Sequence, residues 1–327
     1  MNFQDVKVEF EKLFENKMSS EEAKKLLITL YQRGESGEEI AAAAEVMRKH
    51  SLKLDINEEL RDKLIDVVGT GGDKSGSFNV SSTVSLLLAS LGCYVAKHGN
   101  RAITSNSGSA DMLETLGINL NLTPQNQVKM LEECRFAFMF AVNHHPAMKY
   151  IMPIRKSLPH RTIFNILGPL TNPAGAKKYL LGVFDKDYIE KISEALVLLK
   201  IKKAFVVSSN DGMDEISVSD VTHYAKVEGE DISYDVLDPT SYGIKLSPFE
   251  AIKGGNAKAN ASITMDIINN VEKGAKRDIV LINSAFALVA DGRARDIKDG
   301  LEMAKEAIES KLCAVHLKKI INISNKI

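Results

Sequence analysis

The sequence predicts an α/β protein: a small all-helical N-terminal domain, residues 1–63, then a larger α/β domain, residues 64–327, with a mostly parallel central sheet. Three observations carry this. Apolar residues recur at helical spacing through the first 63 positions. From Leu64 onward short apolar runs alternate with amphipathic ones, the order that builds a parallel sheet. The first two of those runs lead into glycine- and serine-rich turns, each followed by a helical pattern.

In the N-terminal part, Phe3, Val6, Phe10, Leu13 and Phe14 mark one helical face. Ser19-Ser20-Glu21-Glu22 and Ser36-Gly37-Glu38-Glu39 match the capping box, in which serine and glutamate satisfy free N–H groups at a helix start. Helices are expected over Ala23–Arg33 and Ile40–His50. Helices this short are marginal alone, so they must pack on the rest of the chain or on a second copy.

Next comes the stretch Ile65 to Leu116, on which the rest is organised. It reads strand, glycine turn (Gly69-Thr70-Gly71-Gly72-Asp73), helix, strand (Cys93–Ala96), a second turn (Lys97-His98-Gly99-Asn100-Arg101) and a second helix. Thr123-Pro124 starts a helix ending near Cys134, and Phe136–Val142 reads as a buried strand. Asn143–Pro146 is a turn, and a helix from Ala147 is expected to end or kink near Pro153, with Arg155 and Lys156 just beyond. Thr162–Pro173 fits neither helix nor strand. Strand, helix, strand follow at Tyr179–Phe184, Lys186–Leu199 and Ala204–Ser208. Val221–Val227 and Ile232–Leu237 alternate as strands of an antiparallel sheet edge. Helices over Ala257–Val271, Arg277–Ala290, Leu301–Ser310 and Ala314–Ile321 close the chain.

At 327 residues, 44% hydrophobic and 26% charged, the composition is that of an ordinary globular protein. A net charge of −1 gives no electrostatic reason to expect nucleic acid or an anionic membrane as partner. The three cysteines lie far apart without a C-x-x-C pair, which points to neither a disulfide framework nor zinc and fits a reducing cytosol. No leader pattern and no apolar run of about 18 residues are seen, so a cytoplasmic protein is expected.

Two glycine turns after apolar strands build an anion pocket from backbone N–H groups, with helix starts adding partial positive charge. The first turn matches neither the P-loop nor the dinucleotide pattern, and alone it is equally a tight connection without ligand. The second gathers Lys97, His98, Asn100 and Arg101 around Gly99, followed by small polar residues, which suits a phosphate-rich ligand better than a solvated loop. Asp214-Glu215 follows a strand; adjacent carboxylates on irregular backbone reach a magnesium–diphosphate complex, with Ser81 as a hydroxyl ligand, although a solvated turn is the simpler reading of the pair alone. His144-His145 fits packing or substrate stacking better than a metal, and Arg155 is either a surface salt bridge or a carboxylate clamp.

Together these residues resemble the anthranilate phosphoribosyltransferases, the magnesium-dependent enzymes of tryptophan biosynthesis. The resemblance rests on G-T-G-G-D, F-N-V-S-S, K-H-G-N-R followed by G-S-A-D, F-N-I-L-G-P-L-T-N-P and D-G-M-D-E, in the family's order and spacing from Asp66 to Ser217. It implies a nucleoside-phosphorylase-type phosphoribosyltransferase fold, a homodimer formed by the helical domain, and part of residues 155–175 packing near that domain. By motif, Gly69, Gly72, Asp73, Ser77, Asn79, Val80, Ser81, Ser82, Lys97, His98, Gly99, Asn100, Arg101, Ala102, Ile103, Thr104, Ser105 and Ser109 would bind phosphoribosyl diphosphate. Gly69, Asn100, His145, Arg155, Gly168 and Pro169 would meet anthranilate, and Ser81, Asp214 and Glu215 would hold Mg2+. No residue stands out as an obligatory base. Two departures are visible: Asn79-Val80-Ser81-Ser82 replaces N-I-S-T, keeping a hydroxyl, and Pro159 stands where glycine is common before Arg161. A pyrimidine nucleoside phosphorylase, which shares the fold but needs no acidic metal pair, is the competing enzyme; a non-catalytic relative that binds nucleic acid is the other alternative.

Overall fold

The computed structural model describes residues 1–73, 75–102 and 107–327. Four helices open the chain: α1 (Phe3–Phe14), α2 (Ser20–Arg33), α3 (Gly37–Lys49) and α4 (Glu58–Lys63). Both predicted capping boxes form, Ser19 with Glu22 and Ser36 with Glu39. They start α2 three residues, and α3 three residues, before the apolar pattern shows, because caps set helix starts and periodicity sets only the buried face.

The α/β part runs β1 (Leu64–Gly69), α5 (Val80–Ser90), β2 (Tyr94–Gly99), α6 (Ser109–Thr115), α7 (Pro124–Cys134) and β3 (Phe136–Phe140). Next are α8 (Ala141–His144), α9 (Met148–Lys156), α10 (Phe164–Leu167), β4 (Lys178–Gly182), α11 (Tyr188–Leu198) and β5 (Lys203–Ser209). It ends with β6 (Thr222–Glu228), β7 (Asp231–Leu237), α12 (Ala257–Ile268), α13 (Ala275–Asp291), α14 (Ile297–Glu309) and α15 (Leu312–Ser324).

The strands form one seven-stranded sheet in the order β3-β2-β1-β4-β5-β6-β7. The first five pair in parallel, and β6 and β7 add an antiparallel edge. The mostly parallel sheet and the antiparallel edge are both as the sequence predicts. The buried faces of α5 and α13 cover the sheet, while α3, with its run of buried alanines Ala41–Ala44, packs on α1 and α11. Alanine on that face lets the helices approach closely.

Three local expectations need correction. The strand predicted over Phe136–Val142 stops at Phe140, and Ala141–His144 forms a single helical turn. Pro153 does not end its helix: α9 continues through it, so Arg155 and Lys156 are helical rather than beyond the helix. Proline already holds the helical φ, and near a helix start it forfeits little more than one hydrogen bond. The stretch Thr162–Pro173 is α10 followed by a 3-10 turn at Gly168–Leu170, started by a reciprocal Thr162–Asn165 pair.

Candidate active site

From β1 the chain steps outward to β2 and β3, then returns to lay β4 on the other side of β1. A gap therefore opens beyond the carboxyl ends of β1 and β4, the place where ligands bind in open parallel sheets. Gly69 and Gly182 are register partners at that end. Asp214, in the loop after β5, fills the gap. A Cβ at Gly182 would lie 1.5 Å from the Asp214 carbonyl oxygen, and one at Gly69 would lie 2.2 Å from Asp214 Oδ2. Both strands end in glycine because nothing larger fits. The Gly71 N–H donates to Asp214 Oδ2 at 2.7 Å, and the Ser81 N–H, at the start of α5, donates to Glu215 Oε1 at 3.1 Å. Asn283 of α13 holds the loop in place, accepting from Ile216 N–H at 3.0 Å and donating to Ile216 O at 2.8 Å. Ser81, Asp214 and Glu215 thus line one small cavity with Val67, Gly182 and Asn283.

Burial raises the pKa of both acids, the Asp73 charge raises both further, and the Asp214 charge adds to the rise of Glu215. Glu215 Oε2 is buried with no hydrogen-bond partner among the described residues. Lys97 lies behind them, buried, and donates to Val67 O at 2.7 Å. Burial lowers its pKa, while Asp66, Glu215 and Asp214 pull it back up. Among the described residues no three His, Cys, Asp or Glu side chains stand together as a ready-made metal cage.

The first turn is held by backbone and neighbours. Gly72 has φ +75°, Ser77 Oγ accepts from Ser75 Oγ at 3.1 Å, and Val80, Ser81 and Ser82 form the first turn of α5. Asn79 Oδ1 accepts from Ser107 Oγ at 3.2 Å and from Asn260 Nδ2 at 2.9 Å. The Ser82 hydroxyl is buried without a partner among the described residues. The second turn departs more from the simple picture of a cationic phosphate loop. Lys97 and His98 point into the protein, being β2 residues buried in the sheet. The Arg101 guanidinium donates to Asp111 at 2.9 Å and to Glu114 at 2.7 Å, and it lies over Phe140. Gly99 packs against Ser109 Oγ and Phe138. The Asn100 carbonyl accepts from Ser109 Oγ at 3.1 Å, its Oδ1 takes the Arg101 N–H at 2.8 Å, and Ala102 N–H donates to Asp111 at 3.0 Å. Ile103, Thr104 and Ser105 lie outside the described residues.

His98 and His145 meet with ring centres 5.2 Å apart, and His98 Nδ1–H donates to the Gly168 carbonyl at 3.1 Å, just before Pro169. Burial keeps both rings neutral, pushing His145 down to about 4 and His98 well below its ordinary value. Neither Nε2 has a partner among the described residues. Arg155 is not a surface salt bridge: it is half-buried, 5.4 Å over the Phe164 ring, with no carboxylate in ion-pair range among the described residues. The structure brings Gly69, Ser81, Asp214 and Glu215 together in one gap, and His98, His145 and Gly168 in a second cluster.

Several supporting residues are absent from the sequence expectations. Asp66, fully buried in β1, accepts from Asn172 Nδ2 at 2.8 Å and from His98 N–H at 3.3 Å, so it ties the segment before β4 to β2. Asn260 holds Asn79, and Gly182 makes room for Asp214. One signal was available: Asn283 is a lone amide in the apolar run Ile279–Ala290. Gly182 and Asn260 carry no comparable local mark.

An acidic pair at the switch point of a parallel sheet, under a glycine turn and a helix start, defines an α/β enzyme for phosphate-bearing substrates. In agreement, the model of the glycosyl transferase family, α/β domain, matches residues 61–311. An anthranilate phosphoribosyltransferase of Persephonella marina is 42% identical over 311 residues, covering 95% of this chain and 91% of that protein. One of Methanobrevibacter smithii is 43% identical, covering 91% of this chain and 88% of its own. The crystal structure of the Thermus thermophilus enzyme superposes with a TM-score of 0.93 at 37% identity, covering 99% of this chain and 96% of that one. The Saccharomyces cerevisiae enzyme in complex with PRPP and Mg superposes at 0.87 with 25% identity, over 99% and 93% of the two chains. The chain belongs to the anthranilate phosphoribosyltransferases.

Proposed function

We propose that the protein transfers the phosphoribosyl group of 5-phosphoribosyl 1-diphosphate to anthranilate, giving N-(5-phosphoribosyl)anthranilate and diphosphate, in tryptophan biosynthesis. The observation that carries this reading is the convergence of Ser81, Asp214 and Glu215 on one cavity at the ends of β1 and β4. Two half-buried carboxylates whose charged forms are disfavoured, one with a buried, unpartnered oxygen, fit a hard dication. Ser81, Asp214 and Glu215 would hold Mg2+, which when bound neutralises charge on the leaving diphosphate. The pyrimidine nucleoside phosphorylase alternative gives this acidic pair no task.

The chain's own work is placement. Backbone N–H groups of the Gly69–Asp73 turn and the start of α5, with Ser77, Asn79 and Ser82, take the diphosphate. The turn from Lys97 through Arg101 to Ser109 takes the ribose phosphate. Asn100, His145, Arg155, Gly168 and Pro169 border the path of anthranilate. The amine attacks C1 as the bond to diphosphate breaks, through a transition state of oxocarbenium character. An aromatic amine is already a nucleophile, so positioning and charge stabilisation suffice without a dedicated base. Because Arg101 is paired with Asp111 and Glu114, its part is to shape the second turn, and its charge reaches the ligand only indirectly.

We further propose a two-domain organisation, residues 1–63 and 64–327, with a cytoplasmic homodimer built through the helical domain. Exposed apolar side chains on its surface, Val8 of α1 and Tyr150 of the adjacent α9, support that surface as the contact. α10 packs on α3, and Arg48 Nε donates to Leu170 O at 2.6 Å, which joins the 155–175 segment to the helices. No helix among the described residues is long and apolar enough to cross a membrane.

The test is to mix the protein with both substrates and Mg2+ and follow anthranilate fluorescence. Its decay, dependent on all three components, is expected. A constant signal together with phosphorolysis of thymidine or uridine would instead establish the phosphorylase.

A further inference from the structure

Arg161 has no part in the site as described, yet it grips the turn at its centre. Gly71 and Gly72 have φ of +65° and +75°, conformations that glycine adopts without favouring any one of them. A turn so built takes its shape from its attachments. On the sheet side these are Thr70 N–H to Gly182 O at 3.0 Å, Phe184 N–H to Thr70 Oγ1 at 3.1 Å, and Gly71 N–H to Asp214. On the other side the attachment is the Arg161 guanidinium, whose Nη2 donates to the Gly72 carbonyl. In a trans peptide the carbonyl and the following N–H point opposite ways. Holding the Gly72 carbonyl therefore sets the direction of the Asp73 N–H, one of the donors the turn offers a phosphate.

Arg161 is itself fixed. Its guanidinium lies 3.6 Å from the centre of the Phe184 ring, and it makes no ion pair with a carboxylate among the described residues. The preceding His160 donates from Nδ1 to the Arg161 carbonyl at 2.7 Å and stacks on Tyr31 of α2, with ring centres 3.9 Å apart and planes 8° apart. The helical region thus reaches the turn through Tyr31, His160 and Arg161.

We propose that Arg161 is a positioning residue that sets affinity for phosphoribosyl diphosphate by clamping the Gly72 peptide, with Phe184 as its platform. This rests on the function proposed above. A planar, stacked fork is required, so lysine is no substitute despite its charge. In Arg161→Lys, calorimetric Kd and kinetic KM for phosphoribosyl diphosphate with Mg2+ should rise about tenfold, the loss of one charge-assisted hydrogen bond. The KM for anthranilate and kcat should stay unchanged, which a general loss of structure would not allow. Phe184→Leu should weaken the same Kd in the same direction, and Phe184→Tyr, which keeps the ring, should restore it. If Arg161→Lys does not fold, the two Phe184 variants carry the test through the same Kd. A wild-type Kd in Arg161→Lys, or in Phe184→Leu, overturns the inference. So does an equal loss in the anthranilate KM. Failure of the underlying function looks different: the unmodified protein then fails to consume anthranilate at all.

Discussion

Gly71 and Asp214, 143 residues apart in the chain, are joined by a hydrogen bond of 2.7 Å from the Gly71 N–H to Asp214 Oδ2. That bond spans the gap between β1 and β4 and makes the glycine turn and the acidic loop one unit. Its neighbours Gly69 and Gly182 both lack a side chain for Asp214's sake, but against different atoms.

The two glycines should therefore fail differently. In Gly182→Ala the new methyl meets Asp214 backbone at 1.5 Å, which cannot swing away. A loss of at least about 1–3 kcal/mol in urea denaturation is expected, the range for overpacking. In Gly69→Ala the methyl meets the tip of the Asp214 side chain at 2.2 Å, which can rotate. Stability should fall less there, while turnover falls with the loss of the Gly71–Asp214 bond. Equal stability losses in the two variants would count against this account.

Asp214→Asn combined with Glu215→Gln should abolish turnover and keep the fold, because amides fill the same space without a charge to bury. Mg2+ should raise the Tm of the unmodified protein by linkage and leave that of the double variant unmoved. An identical Mg2+-dependent rise in both proteins would remove the pair from the metal site.

His145 gives a pH signature. Burial lowers its pKa from 6.5 to about 4, so the folded state takes up a proton less readily than the unfolded one. Its contribution is fully present above pH 6.5 and is lost as the pH falls through the window down to about 4. At about 1.4 kcal/mol per unit the total reaches about 3 kcal/mol. His145→Gln should show a shallower fall in urea midpoint between pH 7 and 5, roughly one proton less in the linkage slope. Parallel curves for the two proteins would refute it.

Arg155 sits half-buried over Phe164 without a carboxylate partner among the described residues, a cation held ready for one. Arg155→Ala should raise the anthranilate KM about 10- to 100-fold, the worth of a charge-assisted hydrogen bond, with the phosphoribosyl diphosphate KM retained. Asn100→Ala should weaken both substrates, and unchanged KM values and kcat there would displace Asn100 from the junction of the two.

The sequence by itself determined the helical start with its two capping boxes, the alternation that makes a parallel sheet, the antiparallel edge and the two glycine turns. These are local: a cap needs residues three apart, and a strand or helix shows its own period. It also showed which residue types could meet a phosphate and a dication, through five short motifs. Only the tertiary structure decided which of them face each other. Lys97 and Arg101 look alike in the string, yet one is buried behind the acidic pair and the other is held by Asp111 and Glu114. Gly182 and Asn260 draw no notice until β4 lies beside β1 and α12 reaches Asn79, 181 positions away. Arg161 lies two residues after Pro159, and its hold on Gly72 appears only when residues 89 positions apart are brought together. Such pairings depend on strand order and on burial, which are properties of the whole packed chain and leave no mark in any short window of it.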